Sequence, residues 1–437
     1  MFDLLLAGAQ VIDVPGERAE AVGIRDVAVE AGQIVAVATE GTIDPAQARE
    51  ILDADELVLL PGLVNAHAHG AMTLFRGAAE DLPFSTWFTE RIRPLEANLT
   101  PEDVYWGTVL AIAEMFEAGV TTFADHYFHV DQVAGAVRDT GGRALLAQCL
   151  FGDEQAAAAG LEQTRRLVGD WNGAADGRIG VWVGPHSHYA CTEGLLRACA
   201  ALARELGVGV HTHLAEEPWE VEQCLRDYGS GPVELLRRAG CLDVPALLAH
   251  AIEVGEDEAR VLGEHGAAVA TCPKTYLRLG MGNTPALQLR AAGVIIGIGT
   301  DGAASNATLD LWEQQRLAGA LQKFTHRDAT LAPPAETLAW ATMSGARALG
   351  WGDRLGRVAP GYLADLILID AERPHLTPAP DLVAGLAGAA RPGDVRHVLV
   401  NGRFVLRDGR LLTIDRDQAL VEVEARSARL RGALDPA

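Results

Sequence analysis

Eight short apolar runs, separated for the most part by helical patterns, constrain this chain more than any other feature. They cover residues 63–66, 120–124, 144–149, 179–184, 208–212, 246–249, 267–271 and 294–299. The helical signals between them carry their own punctuation. Thr100-Pro-Glu-Asp103 supplies an N-cap, a proline in the first turn and an early acid, and Gly119 follows the last turn. Thr192 opens another helix and Gly207 closes it, and 257–265 stops at Gly266. Strand and helix alternating eight times predict parallel strands with helical crossovers, and a closed (β/α)8 TIM-like barrel is the economical solution. A doubly wound open sheet is the alternative.

The two ends of the chain read differently. Short strand signals at 27–30 and 33–37 flank Ala31-Gly32, and those at 395–400 and 403–406 flank Asn401-Gly402. Both dipeptides fit two-residue hairpin turns. The ends are therefore expected to pair into one small β-sandwich domain, 1–58 with 357–420, around a barrel at 59–356. A helical tail is expected at 421–437.

Composition narrows the partners. Of 437 residues, 36 are Lys or Arg and 59 are Asp or Glu, a formal charge of −23. Nucleic acid and anionic membrane surfaces are expected to be excluded by that charge. The start of the chain shows no basic segment followed by a long apolar core, so no signal peptide is expected. Six cysteines without a CxxC pair fit free thiols in a reducing cytoplasm.

In a barrel of this kind the chemistry sits at the C-terminal ends of the strands. Seven of the thirteen histidines fall there: His67, His69, His186, His188, His211, His213 and His250. Asp301 follows the eighth run. His67 and His69 are two apart on an extended segment, so both rings point to one side. With His213, His250 and Asp301 they form a set suited to Zn²⁺, or to Fe²⁺ as the second choice. The opposing interpretation is a rim of polar residues satisfied by hydrogen bonds. Glu216, three residues past His213, reads equally as a proton shuttle and as a surface acid, since Glu217 and Glu220 are its neighbours. His211 reads as a packed histidine behind the ligands, and His126 and His129 as structural. Neither a Walker motif nor a GxGxxG after a strand occurs, so phosphate-cradling chemistry has no support.

The segments Leu63-Val-Asn-Ala-His-Ala-His69, Glu80-Asp81, His213-Leu-Ala-Glu216, His250 and Gly299-Thr-Asp-Gly-Ala-Ala-Ser-Asn306 resemble the amidohydrolase superfamily. The likeness is nearest to S-adenosylhomocysteine/5′-methylthioadenosine deaminases and to related triazine and pterin hydrolases. It implies His67, His69, His213 and Asp301 as metal ligands, Glu216 and His250 as proton-transfer residues, and Asp301 as a further proton acceptor. It also implies Trp87 against the substrate, Glu96 on ribose hydroxyls and His186 on a ring nitrogen. Two-metal relatives carry a lysine on the fourth strand, and this chain has none there, so one ion per subunit is expected.

Three features depart from the resemblance. Gln148 stands where those deaminases place an arginine. His188 stands where proline is usual, and Thr271-Cys-Pro-Lys-Thr-Tyr276 replaces the usual seventh-strand loop. Gln148 and Tyr276 are expected to touch substrate, with Lys274 and Arg278 completing a different wall. The expected reaction is hydrolytic release of ammonia from an aminated N-heterocycle, first a 5′-modified adenosine. The alternatives are a pterin, a guanine-like base, cytosine or an s-triazine, displacement of halide or alkylthio, or a non-catalytic metal-binding scaffold. A homodimer or homotetramer is expected from the resemblance.

Overall fold

In the computed structural model, residues 1–434 are described. Eight strands form a closed parallel barrel: Leu63–His69, Val120–Tyr127, Arg143–Leu150, Ile179–Pro185, Val210–Leu214, Ala246–His250, Ala268–Thr271 and Ile295–Ile298. The eighth pairs back onto the first, which closes the ring. Six of the eight are buried at every position. That is why they read in the sequence as unbroken apolar runs and not as alternating ones. Registers are parallel throughout the ladder, for example His213 beside Ala249, Ala249 beside Ala270 and Ala270 beside Gly297. A two-residue strand, Asp301–Gly302, then lies along the first, with Asp301 opposite Ala68. This short extension brings the acid level with the HxH segment.

The helix caps follow from the residues that signalled them. The Thr192 side chain accepts the Leu195 N–H at 3.2 Å, and Gly207 closes the same helix, Glu193–Leu206, at φ 68°. Such a cap contributes about 1 kcal/mol. The helix Pro101–Glu117 begins with a reciprocal pair. Thr100 N–H and Oγ1 donate to Asp103 at 2.7 Å each, and the Asp103 N–H donates back to Thr100 Oγ1 at 3.3 Å.

The chain ends form one continuous nine-stranded sheet, largely antiparallel. Its junction is Leu57–Pro61, which pairs antiparallel with Leu366–Asp370 and parallel with Phe2–Asp13. Leu4, Leu6, Val27, Val29 and Ile34 from one end share a core with Leu366, Leu368 and Leu399 from the other. Both hairpins turn as their dipeptides require: Ala31 and Gly32 sit at φ 50° and 80°, Asn401 and Gly402 at 47° and 69°. Two successive residues at positive φ are the mark of a type I′ turn.

By contact density, residues 1–65, 113–122 and 310–415 make one compact unit, and 66–112, 123–309 and the segment from 416 onward make the other. The terminal helix starts at Arg416, five residues before the expected tail, and runs to Leu434; 435–437 lie outside the described residues. All six cysteines are free and buried. No helix among the described residues is long and apolar enough to cross a membrane.

Candidate active site

The barrel strands deliver five side chains to one point. His67 and His69 come from the first strand, His213 from the fifth, His250 from the end of the sixth, and Asp301 from the short extension after the eighth. The carbonyl of His126 faces His69 Nδ1 at 2.7 Å, and the carbonyl of His186 faces His213 Nδ1 at 2.8 Å. A carbonyl only accepts, so both Nδ1 atoms carry the proton and both Nε2 lone pairs face inward. Those two Nε2 atoms stand 3.4 Å apart. His67 Nε2, fully buried, has no hydrogen-bond partner, and its Nδ1 pairs with His211 Nε2 at 2.9 Å. His211 thus backs His67.

Asp301 completes the cluster. Its Oδ1 lies 3.2 Å from His69 Nε2 and 3.6 Å from His67 Nε2. Its Oδ2 is held by the hydroxyls of Ser305 at 2.7 Å and Thr275 at 3.1 Å. Asp301 and His250 both adopt left-handed backbone conformations, φ 60° and 74°. Non-glycine residues adopt that conformation at a cost, here at two members of the donor cluster.

Lone pairs that face each other across 3.4 Å repel unless a positive charge lies between them. The groups His67/His69/His213 and His67/His250/Asp301 each keep their ligand atoms within 4.8 Å, and they share His67. The donor set therefore fits a divalent metal ion. The acidities agree. Burial pushes His67 down to about 3 and His250 to about 4, and holds His213 well below its usual value. Neutral imidazole is the ligand form. For His69 burial works the other way from the outcome: the hydrogen bond and charge of Asp301 outweigh it and raise the pKa. For Asp301 burial alone would raise the pKa, but the neighbouring imidazoles of His67 and His69 outweigh it and hold it well below the carboxylate range.

Glu216 follows Ala215, whose φ of 47° turns the chain at the end of the fifth strand. Its Oε2 is 3.7 Å from His250 Nε2. Burial first, and then the charge of Glu220, push its pKa well above the carboxylate range, which favours its proton-bearing form. Glu220 is buried completely, and its Oε2 accepts the Glu216 N–H at 3.0 Å. The acids that made Glu216 look like one of a surface row include one that anchors it.

These groups line a cavity with Trp87, Glu96, His126, Tyr127 and His186, closed by Phe84, Phe88, Phe151 and Tyr189. Glu96 lies beside Tyr127 and is pushed up to about 7, chiefly by burial. His186 spends Nδ1 on Ser187 Oγ at 3.0 Å and stacks on Phe151 at 4.5 Å.

Four expected wall residues lie elsewhere. Gln148 is buried on the third strand outside the lining, while its neighbour Cys149 faces the cavity, as side chains alternate along a strand. Tyr276 stands behind His250, ring centroids 5.8 Å apart, with its hydroxyl committed to Thr284 and the Cys272 N–H. Lys274 reaches Thr308, and Arg278 pairs with Glu80 and the Ser305 carbonyl. His188 is buried 3.8 Å from Glu220, and His129 caps the helix Val130–Thr140. Sequence reasoning missed Tyr127, Phe128, Phe151 and Tyr189. Each follows a strand C-terminal end, the signal that could have found them.

The sequence pattern of the amidohydrolase family matches residues 58–405. A 5-methylthioadenosine/S-adenosylhomocysteine deaminase of Desulforudis audaxviator is 42% identical over 428 residues, 98% of this chain and 99% of the relative. One from Moorella thermoacetica is 45% identical over 380 residues, 87% of this chain and 89% of the relative. Among solved structures, an adenosine deaminase from Xanthomonas campestris with bound zinc superposes with a TM-score of 0.93 at 33% identity, covering 98% of this chain and 99% of the other. A zinc complex of an atrazine chlorohydrolase from Arthrobacter aurescens has the same fold, with a TM-score of 0.90 at 23% identity over 97% of this chain and all of the other. The chain belongs to the amidohydrolase family.

Proposed function

We propose that the protein is a metal-dependent hydrolytic deaminase that acts on a 5′-modified adenosine. The observation that carries this is the meeting of a buried Glu216 with His250, 3.7 Å away, at the converging donor groups of His67, His69, His213 and Asp301. His67, His69, His213 and Asp301 would hold one ion, with Zn²⁺ ahead of Fe²⁺, since the zinc-bound relative shares a third of its sequence. The shared His67 in both donor groups speaks for one ion and not two. A divalent ion held there supplies Lewis acidity that brings deprotonation of water toward neutral pH.

This chain's residues do the rest. The base lies against Trp87, and His186, with Nδ1 spent on Ser187, offers Nε2 to a ring nitrogen. Glu216, in its acid form, gives its proton to the ring nitrogen beside the amine-bearing carbon. His250 and Asp301 take the first proton that water gives up; Glu216, left as a carboxylate, collects the second proton from the attacking oxygen and passes it to the departing amine, and the proton held at His250 and Asp301 then restores Glu216. Water's oxygen replaces nitrogen on the ring, and ammonia leaves. Glu96 accepts from the ribose hydroxyls. The aromatic lining, with Trp87 and Tyr127 buried, lowers the local dielectric, which strengthens each of these electrostatic contacts.

An ammonia-release screen of the zinc-loaded protein tests the substrate class. The panel is 5′-methylthioadenosine, adenosine, guanine, cytosine, a pterin and an s-triazine. The expected result is turnover of the 5′-modified nucleoside above every free base. Activity on a free base alone would overturn the nucleoside reading, and release of chloride without ammonia would overturn the deaminase reading.

A further inference from the structure

His250 sits at φ 74° and Ala251 after it at 49°, so two successive residues are left-handed at the end of the sixth strand. Such residues persist where their surroundings over-determine them. The peptide between the two is fixed from both sides. The Ala251 N–H donates to the Leu214 carbonyl at 2.9 Å, and the His250 carbonyl accepts from Thr284 Oγ1 at 2.6 Å. His250 Nδ1 is buried without a hydrogen-bond partner. The ring is therefore aimed by its backbone and by the side chains packed on it, among them the Tyr276 ring, edge-on at 5.8 Å.

The hydroxyls behind His250 have a fixed direction. A carbonyl only accepts, so Thr284 spends its one hydroxyl proton on His250. The Tyr276 hydroxyl, 3.0 Å from Thr284 Oγ1, must then be the donor between those two, and it accepts the Cys272 N–H at 2.8 Å. Burial holds the Tyr276 phenol well above its usual pKa, so it keeps the proton this order needs. The order runs from the Cys272 N–H through Tyr276 and Thr284 to the His250 carbonyl, and all four residues are buried. Breaking one link leaves a buried polar group unpaired. Tyr276 and Thr275 are neighbours on one short helix, Pro273–Leu279, and Thr275 donates to Asp301 Oδ2 at 3.1 Å. One helical turn thus ties together the two groups assigned to receive water's proton. It includes part of the seventh-strand segment Thr271–Tyr276 that departs from the resemblance.

We propose that Tyr276 is a positioning residue for proton transfer: through Thr284 it fixes the His250 backbone, and with it the aim of the His250 ring. Tyr276 does not line the cavity and acts without touching substrate. The inference rests on the deaminase reading and adds a residue that works from behind its site.

The test measures kcat and KM for ammonia release from 5′-methylthioadenosine, per metal-loaded chain. The proteins are the zinc-loaded wild type, Tyr276→Phe, Thr284→Val, the double variant and Thr284→Ser. Tyr276→Phe removes one oxygen and keeps the ring. Each of Tyr276→Phe and Thr284→Val is expected to lower kcat roughly 5- to 30-fold. KM should stay within about twofold, since substrate contacts are untouched. The double variant should lose no more than the worse single one, because both break the same chain of bonds. Thr284→Ser keeps the hydroxyl and should restore most of the rate. Calorimetric binding of the product, 5′-methylthioinosine, should be unchanged in every variant. Unchanged kcat in Tyr276→Phe, losses that multiply in the double variant, or product affinity falling in step with kcat would each overturn the positioning role. If Thr284→Val does not fold, kcat and product affinity of Tyr276→Phe decide alone. Turnover of another heterocycle in place of the nucleoside would overturn the substrate reading only, and the same variants assayed on that heterocycle would still decide the role of Tyr276. Ammonia released by the wild type from no heterocycle would overturn both.

Discussion

At the scale of single residues, the site works because burial sets protonation states that water would not. Burial lowers the pKa of His67 and His213 toward the neutral, lone-pair form and raises that of Glu216 toward the proton-bearing form. Glu220 reinforces this twice, through its charge and through its bond to the Glu216 N–H. Glu216→Gln keeps the shape and removes the acid. Since Glu216 belongs to neither donor group, the variant should bind its ion like the wild type. Its turnover should fall by about 10²- to 10⁴-fold. Metal analysis alongside ammonia release checks both halves, and near wild-type turnover would refute the assigned role. The histidines and Asp301 were legible in the sequence because they stand at strand ends. Gln148 and Tyr276 were misread because position in a motif does not say which way a side chain leaves its strand or where its hydroxyl is spent.

At the scale of elements, the eight strands were readable almost residue by residue, since each is a buried run with polar chemistry at one end. The segment from Phe84 to Glu96 was not. It is three short helical pieces in succession, the middle one, Trp87–Ile92, underwound to the i+5 hydrogen-bonding pattern. Such bulges recur at functional sites and have no sequence period of their own. The terminal helix Arg416–Leu434 packs against the Arg93–Glu96 turn and against Gly70–Phe75. Arg429 pairs with Asp103, and Arg426 reaches Glu102 at 2.8 Å and Asp103 at 3.6 Å. For Asp103 burial would raise the pKa, but Arg429 and Thr100 outweigh it and hold the carboxyl below its usual 3.8. A depressed folded pKa adds stability above the unfolded value and loses it as pH falls through the folded one. The anchor is therefore whole at neutral pH and fails only below about pH 4. Asp103→Asn at pH 7 should release the helix, at a cost of about 1–3 kcal/mol. Faster amide exchange confined to 416–434 would show it, and unchanged exchange would refute the anchor.

At the scale of the whole molecule, alternation gave the closed barrel, and the two dipeptide turns gave the paired chain ends. The lone sheet they build is one core shared by residues more than three hundred positions apart, as Leu4 and Leu399 show. No local pattern encodes that pairing; only the repeated hairpin grammar hinted at it. The net charge of −23 first argued against polyanion partners. The central claim is that a single divalent ion, held by His67, His69, His213 and Asp301, is needed for deamination. The most direct measurement is ammonia released from 5′-methylthioadenosine by the protein as loaded with zinc, after removal of the ion by a chelator, and after its return. The account predicts ammonia in equal amount to nucleoside consumed, lost on chelation and restored by one ion per chain. Undiminished release after the ion has gone would contradict it.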